Sequence, residues 1–238
     1  AFAGFVDPNV LLFMGMFVIG EAFFATGVAV GVGNVVHKFA KTETSLLVAV
    51  MMITGILSGF LSNTGTAAVL IPVIIGICKK SGFKQTKLLM PLVFAAAMGG
   101  NISLIGAPGN MIAQAGLQQA GLGSFNFFDY GLVGLPILIV GTIFYATIGK
   151  RFLPDAPSHQ PDGAFEGNDD YSHVPSWKKW TAAIILILTV VAMIFEKQLG
   201  VKLYVSAWTG ALVLVATNVI SETAAVKSID MKTRSEEH

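Results

Sequence analysis

The chain has 238 residues, of which 54% are hydrophobic and 12% are charged, and its mean hydropathy is +0.71. Soluble globular domains carry about 25% charged residues, so this composition argues against a soluble protein. A formal net charge of +1 argues against a nucleic-acid-binding surface. One cysteine and four scattered histidines provide neither a disulfide framework nor a metal-binding spacing. Composition alone therefore predicts a membrane protein that contacts the lipid bilayer.

The first apolar run, residues 9–30, is long enough to cross a hydrocarbon core of about 30 Å. Asp7 and Pro8 precede it, and an acid ahead of a first-turn proline is typical of a helix start. Residues 31–41 carry basic side chains on one side of a mildly amphipathic pattern. This pattern predicts an interfacial helix that lies along the membrane surface.

Two shorter apolar segments follow, residues 44–61 and 66–78. At 1.5 Å per residue they span about 27 Å and 20 Å, which is marginal for one full crossing and too short for the other. Both outer ends are basic, and basic loops stay on the cytoplasmic side. A re-entrant helical hairpin over residues 44–78 satisfies both the length and the charge. It places the Ser-Asn-Thr sequence at 62–64 at the hairpin tip, deep in the membrane.

The next apolar run, residues 88–117, is interrupted between Gly99 and Asn110 by four glycines and a proline. Such a stretch cannot be an undisturbed helix, because glycine is flexible and proline lacks a backbone donor. The sequence predicts a broken transmembrane helix, formed by two half-helices that an unwound segment joins.

The remaining chain predicts a span over 130–149, a cytoplasmic linker over 152–176, and two more spans over 177–195 and 203–220, followed by a polar tail. In this topology Lys197 and Lys202 are the only two of the 15 Lys and Arg residues outside. This distribution obeys the positive-inside rule and predicts a multi-pass protein of the cell (inner) membrane.

Polar groups are concentrated at the predicted tip and in the predicted break. Carbonyl, hydroxyl and amide oxygens suit a hard cation such as Na⁺, whereas the N-termini of half-helices favour an anion. Neither segment contains Asp, Glu, Lys or Arg, so an anion would be held by amide dipoles, hydroxyls and bound cations. The alternative is that these small and polar residues only allow close helix packing. The groups concerned are Ser58, Ser62, Asn63 and Thr64 at the tip, and Gly100, Asn101, Ser103, Gly106 and Asn110 in the break.

Glu21 is the one carboxylate inside a predicted span. An intramembrane acid is a candidate proton or cation relay, and the alternative is an acid that faces the bundle interior or reaches the interface. The sequence shows no nucleophile–base set, phosphate-binding loop or paired carboxylates, which predicts that the protein is not an enzyme.

At these residues the chain resembles the divalent anion–sodium symporter family, within the wider group of citrate, sulfate and arsenite permeases. The resemblance lies in the Ser-Asn-Thr tip at 62–64, with Ser58 four residues earlier, and in the glycine-rich segment 99–110. It implies that Na⁺ is bound by Ser58, Ser62, Asn63 and Gly100, and that the substrate is bound by Asn63, Thr64, Asn101, Ser103 and Asn110. Gly65-Thr66 and Ala107-Pro108-Gly109 depart from the family pattern and leave the pocket size and the substrate open.

The resemblance also implies a fold. Such transporters are built from two inverted repeats, each with its own tip, and function as homodimers. This chain has one tip, so we expect an all-α, polytopic fragment in which residues 1–151 form the first repeat. Residues 177–238 would begin an incomplete second repeat, and a partner that supplies the missing repeat is the alternative.

The predicted function is cation-coupled secondary transport of small divalent anions, such as dicarboxylates or sulfate, by alternating access. Na⁺ is the expected coupling ion and H⁺ the alternative. Two other functions stay open at this point. One is an arsenite or Na⁺/H⁺ exchange permease on the same scaffold, and the other is a non-transporting membrane packing module.

Overall fold

The computed structural model describes residues 7–28, 31, 42–153 and 173–234, and all its regular secondary structure there is helical. A 3₁₀ turn, Gly149–Arg151, follows the sixth α-helix. The α-helices, numbered in chain order, are α1 Pro8–Ala25, α2 Glu43–Ser58, α3 Asn63–Ser81, α4 Thr86–Gly99, α5 Pro108–Gln119, α6 Gly131–Thr147, α7 Ser176–Ile194, α8 Glu196–Leu199, α9 Leu203–Ala216 and α10 Glu222–Arg234. The all-helical fold class is confirmed.

Helix α1 begins where the sequence predicts, with the Asp7 carboxylate accepting a hydrogen bond from the Asn9 N–H at 2.8 Å. It ends at Ala25, five residues before the predicted end of the span. The chain turns there because Gly27 adopts a left-handed backbone with φ of 73°. Apart from Gly31, the predicted interfacial helix over 31–41 lies outside the described residues, as does most of the predicted linker over 152–176.

The predicted polar tail, residues 221–238, contains a helix that the sequence reading missed. Helix α10 begins at Glu222, and the Ser221 hydroxyl accepts a hydrogen bond from the Ala224 N–H at 3.2 Å. A serine cap followed by an acid in the first turn is a helix-start signal that low hydropathy obscured. The polar tail is therefore helical over Glu222–Arg234.

The chain forms two compact units. The first unit contains the described residues of Ala1–Val28, Met111–Phe127 and Tyr171–His238. In it α1 approaches α9 so closely that a Cβ atom on Gly15 would lie 2.8 Å from the Cβ of Ala207. Gly210 on α9 likewise faces Ile19 of α1, at 3.0 Å from the position of its absent Cβ. Small residues let these helices pack at short range, as is common in membrane proteins.

The second unit contains the described residues of Ala29–Asn110 and Phe128–Asp170. Its apolar core is formed by the facing sides of α2, α3, α4 and α6, and its fully or nearly fully buried side chains include Leu46, Leu47, Met51, Ile74, Leu88, Leu92 and Leu138. Gly55 on α2 leaves room for Leu138 of α6, because a Cβ there would lie 2.6 Å from Leu138 Cδ1. This packing fixes the positions of the two non-helical segments described below.

Helices α1 and α7 are the two described helices that are long and apolar enough to cross a membrane. Helices α6 and α9, with 17 and 14 residues, are shorter than their predicted spans. The outer side of α6 exposes a continuous set of apolar side chains, with Val140 65% and Leu132 79% exposed. Apolar patches of this kind are rare on proteins surrounded by water, so this surface favours a lipid environment.

Candidate functional site

Two non-helical segments of the second unit each separate the end of one helix from the start of the next. The tip segment, residues 59–62, lies between α2 and α3, and the broken segment, residues 100–107, lies between α4 and α5. Each segment therefore carries a helix C-terminus with free carbonyls and a helix N-terminus with free N–H groups. The second interruption lies within the predicted break at 99–110, whereas the first ends at Ser62, so Asn63 and Thr64 of the predicted tip form the first turn of α3.

Glycine brings the two segments into direct backbone contact. A Cβ atom on Gly99 would lie 2.5 Å from the Cα of Gly55, and one on Gly106 would lie 2.9 Å from the Gly59 carbonyl oxygen. Distances under about 3 Å are not reached by real Cβ atoms, so the hairpin and the broken segment meet only because these residues are glycine. Loop residues that are separated by some 40 positions in the chain thus form one polar cluster.

Asn63 and Ser58 connect the tip segment to the end of α4. The Ser58 hydroxyl is fully buried and lies 2.6 Å from the Asn63 amide and 2.7 Å from the Ala96 carbonyl oxygen. A hydroxyl has one proton, which the Ala96 carbonyl accepts. The Asn63 amide is therefore oriented with Nδ2 donating to Ser58 Oγ and to the Gly106 carbonyl at 3.1 Å. This orientation leaves Asn63 Oδ1 beside Gly100 as an acceptor.

Ser103 and Asn110 hold the broken segment in place. The Ser103 side chain is fully buried and its hydroxyl donates to the Gly59 carbonyl. The Asn110 side chain is 6% exposed, and its Nδ2 donates to the carbonyls of Gly100 at 3.0 Å and Ser103 at 2.9 Å. These bonds satisfy carbonyls that an interrupted helix leaves without partners. Both side chains are thus already engaged within the protein.

The remaining sequence-predicted groups are more accessible. Thr64 and Asn101 are exposed, Ser62 and Asn63 are half-buried, and Gly100 is buried. Ser62 caps α3, with its hydroxyl accepting from the Gly65 N–H at 3.4 Å. The structure therefore brings all of the sequence-predicted site residues into one region of the second unit, but it divides them into an accessible set and a buried set.

Residues at the start of α6 complete the region and were not anticipated from the sequence. The Tyr130 hydroxyl donates to the Asn110 carbonyl at 2.8 Å. Two glycines of α6 contact the broken segment: a Cβ on Gly131 would lie 2.8 Å from the Ile102 carbonyl oxygen, and one on Gly134 would lie 2.9 Å from the Ile102 nitrogen. Their spacing of three residues, which aligns them on one helix face, was the available signal.

The electrostatics of the region come from dipoles and not from ionised side chains. Residues 58–66 and 99–110 contain no Asp, Glu, Lys or Arg. Among the described residues there is also no group of three or more His, Cys, Asp or Glu side chains that could hold a metal ion. What the region offers is neutral oxygen ligands at the ends of α2 and α4 and N–H groups at the starts of α3 and α5.

Glu21 belongs to the first unit and is half-buried on α1. Its role as a proton or cation relay stays a prediction. The Thr66 hydroxyl, one turn into α3, is buried and has no hydrogen-bond partner among the described residues.

Comparison with known proteins identifies the family of the chain. A family model described as "Citrate transporter" matches residues 1–233. The chain is 32% identical over 163 residues to an uncharacterized transporter, YfbS, of Escherichia coli (strain K12), and 30% identical over 162 residues to sodium/sulfate cotransporter 1 of Chlamydomonas reinhardtii. These alignments cover 68% and 65% of the chain but 27% and 18% of the two relatives.

The chain therefore spans about a quarter of these relatives' length or less. The match over nearly the whole chain confirms the resemblance to the group of citrate and sulfate permeases. The family and these relatives are named as transporters, so the prediction of a transporter family and not an enzyme family is also confirmed. The chain belongs to the citrate transporter family.

Proposed function

We propose that the complete polypeptide carrying this sequence is a Na⁺-coupled secondary transporter of small divalent anions, such as dicarboxylates or sulfate. The observation that carries this proposal is the contact between the tip segment and the broken segment, each of which combines a helix C-terminus with a helix N-terminus. One region thereby offers carbonyl oxygens to a cation and N–H groups to an anion. The names of two relatives in Chlamydomonas reinhardtii, "Sodium/sulfate cotransporter 1" and "Probable sodium/sulfate cotransporter 3", support the pairing of Na⁺ with a divalent anion.

Na⁺ is a co-transported substrate in this account. Its proposed ligands are the oxygens of Ser58, Ser62 and Asn63 and the carbonyl of Gly100. Asn63 Oδ1 is the acceptor that the amide orientation leaves beside Gly100. Neutral oxygens in a site without carboxylates bind a monovalent cation weakly enough to release it, which a transport cycle requires.

The anion would bind next to the cation. Thr64 and Asn101 are exposed and can donate hydrogen bonds to an anionic oxygen, and the start of α3 at Asn63 adds a favourable dipole. The side chains of Ser103 and Asn110 already donate hydrogen bonds to the carbonyls of Gly59, Gly100 and Ser103. We therefore propose that they affect substrate binding indirectly, by fixing the conformation of the broken segment. A divalent anion loses much hydration on entering such a site, and a bound Na⁺ offsets part of that cost.

Proton coupling is the less favoured alternative. Neither segment contains a carboxylate, so a proton would have to use Glu21 or a group elsewhere. We further propose that the protein lies in the cell (inner) membrane as a multi-pass protein, with α2 and α3 as a re-entrant hairpin. We also propose that the complete polypeptide contains a second inverted repeat and forms a homodimer. Transport would then proceed by alternating access around a site between the two repeats.

Uptake into proteoliposomes tests this function. The complete polypeptide is reconstituted and the uptake of labelled succinate, sulfate and citrate is measured with an inward Na⁺ gradient, and with choline in its place. We expect at least one of these anions to require Na⁺, and we expect Asn63→Ala to abolish its uptake. Uptake that is the same in Na⁺ and choline and survives Asn63→Ala would contradict the proposal, whereas a dependence on a proton gradient and on Glu21 would favour exchange with H⁺.

A further inference from the structure

A basic cavity of about 380 Å³ lies in the second unit, away from the tip and broken segments. It is formed where α2 begins, where α4 begins and where the chain leaves α6. Its polar lining among the described residues consists of Glu43, Thr44, Lys87, Lys150 and Arg151. Within this part of the chain three cationic side chains face one carboxylate, which gives these lining residues a net positive charge.

The geometry of this lining suits a phosphate group. Lys150 Nζ donates to the Thr44 hydroxyl at 3.0 Å, which fixes both side chains on one wall. Arg151, the next residue, has the planar fork of donors that matches phosphate oxygens. The starts of α2 at Glu43 and of α4 at Thr86 contribute the positive ends of two helix dipoles. The positive charge thus comes from three separate elements that converge on one cavity.

Glu43 indicates that the ligand of this cavity also carries a hydrogen-bond donor. Its Oε1 atom is buried and has no hydrogen-bond partner among the described residues. A carboxylate oxygen without a donor in a desolvated position costs free energy, so a ligand that brings a hydroxyl group would satisfy it. The lining therefore fits an anionic phosphate ester with a hydroxyl close to the phosphate.

The surroundings of the cavity point to a lipid as the source of this group. Leu47 and Leu153 form the apolar part of the lining. Between Arg151 and Leu153, the Phe152 side chain is 79% exposed. An apolar row continues from it along the outer side of α6, with exposed side chains at Val133, Ile137, Val140, Phe144 and Ile148. An acyl chain lying along this row would place its headgroup at Arg151.

We propose that this cavity binds the headgroup of an anionic phospholipid with a free hydroxyl, of the phosphatidylglycerol class. Basic pockets between transmembrane helices on the cytoplasmic side are suited to such headgroups. The phosphate would contact Lys150, Arg151 and Lys87, and a headgroup hydroxyl would donate to Glu43. The site is independent of the transport proposal, since it uses none of the residues of the tip or broken segment.

Native mass spectrometry of the purified full chain tests the proposal by measuring lipid binding from mixed micelles. We expect dioleoylphosphatidylglycerol to bind about tenfold more tightly than dioleoylphosphatidylcholine. It should also bind more tightly than dioleoylphosphatidylmethanol, which has the same charge but no hydroxyl, and this preference should disappear in Glu43→Ala. Equal binding of the glycerol and choline lipids would overturn the proposal, as would full competition by soluble glycerol 3-phosphate, which would identify a free phosphate ester as the ligand.

The matched variants are Lys150→Gln/Arg151→Gln and, as a control, Lys202→Gln/Lys227→Gln, which removes the same charge from exposed positions in the first unit. The first pair should weaken phosphatidylglycerol binding about tenfold and the control should leave it unchanged. Equal binding by the two pairs would mean that the attraction is not localised in the cavity and would overturn the proposal. If Lys150→Gln/Arg151→Gln does not fold, the comparison of the three lipids on the unaltered chain still tests the proposal.

Discussion

The side-chain amide of Asn63 lies directly against the backbone of Gly100. A Cβ atom at Gly100 would lie 2.9 Å from Asn63 Cγ, so there is no space for any other residue. The same amide is bound to Ser58 Oγ and to the Gly106 carbonyl. One side chain at the tip of the hairpin is thus held by both ends of the broken segment, and the proposed cation site depends on this contact.

Gly100→Ala should therefore disrupt the site. The added methyl group would displace the Asn63 amide and break its hydrogen bonds, with a cost of about 1–3 kcal/mol as for other overpacked positions. We expect a lower midpoint of thermal unfolding in detergent and the loss of Na⁺-dependent uptake.

Gly109→Ala is the matched control. Gly109 belongs to the same glycine-rich stretch, but no described atom lies within 4 Å of the position of its Cβ. Because alanine favours helix by up to about 1 kcal/mol over glycine, this variant should be as stable as the unaltered protein or slightly more stable. Equal effects of the two substitutions would contradict the assigned contact.

Ser103→Ala should destabilise the broken segment. The substitution removes the donor to the Gly59 carbonyl and leaves a buried acceptor without a partner, at a cost of about 1–3 kcal/mol. The unfolding midpoint of Ser103→Ala measures this cost, and Ser124→Ala at an exposed position serves as the control. A midpoint unchanged in both variants would show that the Ser103 hydroxyl has no structural role.

Thr64→Ala and Asn101→Ala should weaken anion binding without lowering stability. Both side chains are exposed, so their removal should change the unfolding midpoint little. Each should raise the KM for the anion by about tenfold, since a hydrogen bond to a charged group contributes about 1.5–3 kcal/mol. Kinetics of anion uptake by the complete polypeptide provide the measurement. A loss of stability without any change in KM would remove these residues from the proposed anion site.

The two interruptions could be predicted from the sequence because glycine, proline and asparagine stand out in apolar runs. Ser58 and Asn63 lie against the end of α4 and Gly100, although these residues are far apart in the chain. The direction in which Ser103 and Asn110 point could not be predicted. A serine or asparagine in an unwound segment can face a ligand or a carbonyl of its own backbone, and only the packing of α2 against α4 decides between them.

Other features depended on signals that hydropathy does not carry. The end of α1 at Ala25 is set by the backbone of Gly27, within a run that remains apolar to Val30. Helix α10 lies in a polar sequence that reads as a tail until its serine cap is noticed. The contacts of Gly131 and Gly134 with the broken segment required the position of α6, which no local pattern specifies.

Direct measurement of Na⁺ binding tests most sharply whether the contact between Asn63 and Gly100 forms a cation site. Binding of ²²Na⁺ to the purified chain is measured by scintillation proximity, with unlabelled Na⁺ or choline as competitor, for the unaltered protein, Asn63→Ala, Gly100→Ala and Gly109→Ala. The account predicts saturable binding that choline does not displace, that Gly109→Ala retains, and that Asn63→Ala and Gly100→Ala lose. Saturable binding of equal affinity in all four proteins would contradict a cation site formed by the tip and the broken segment.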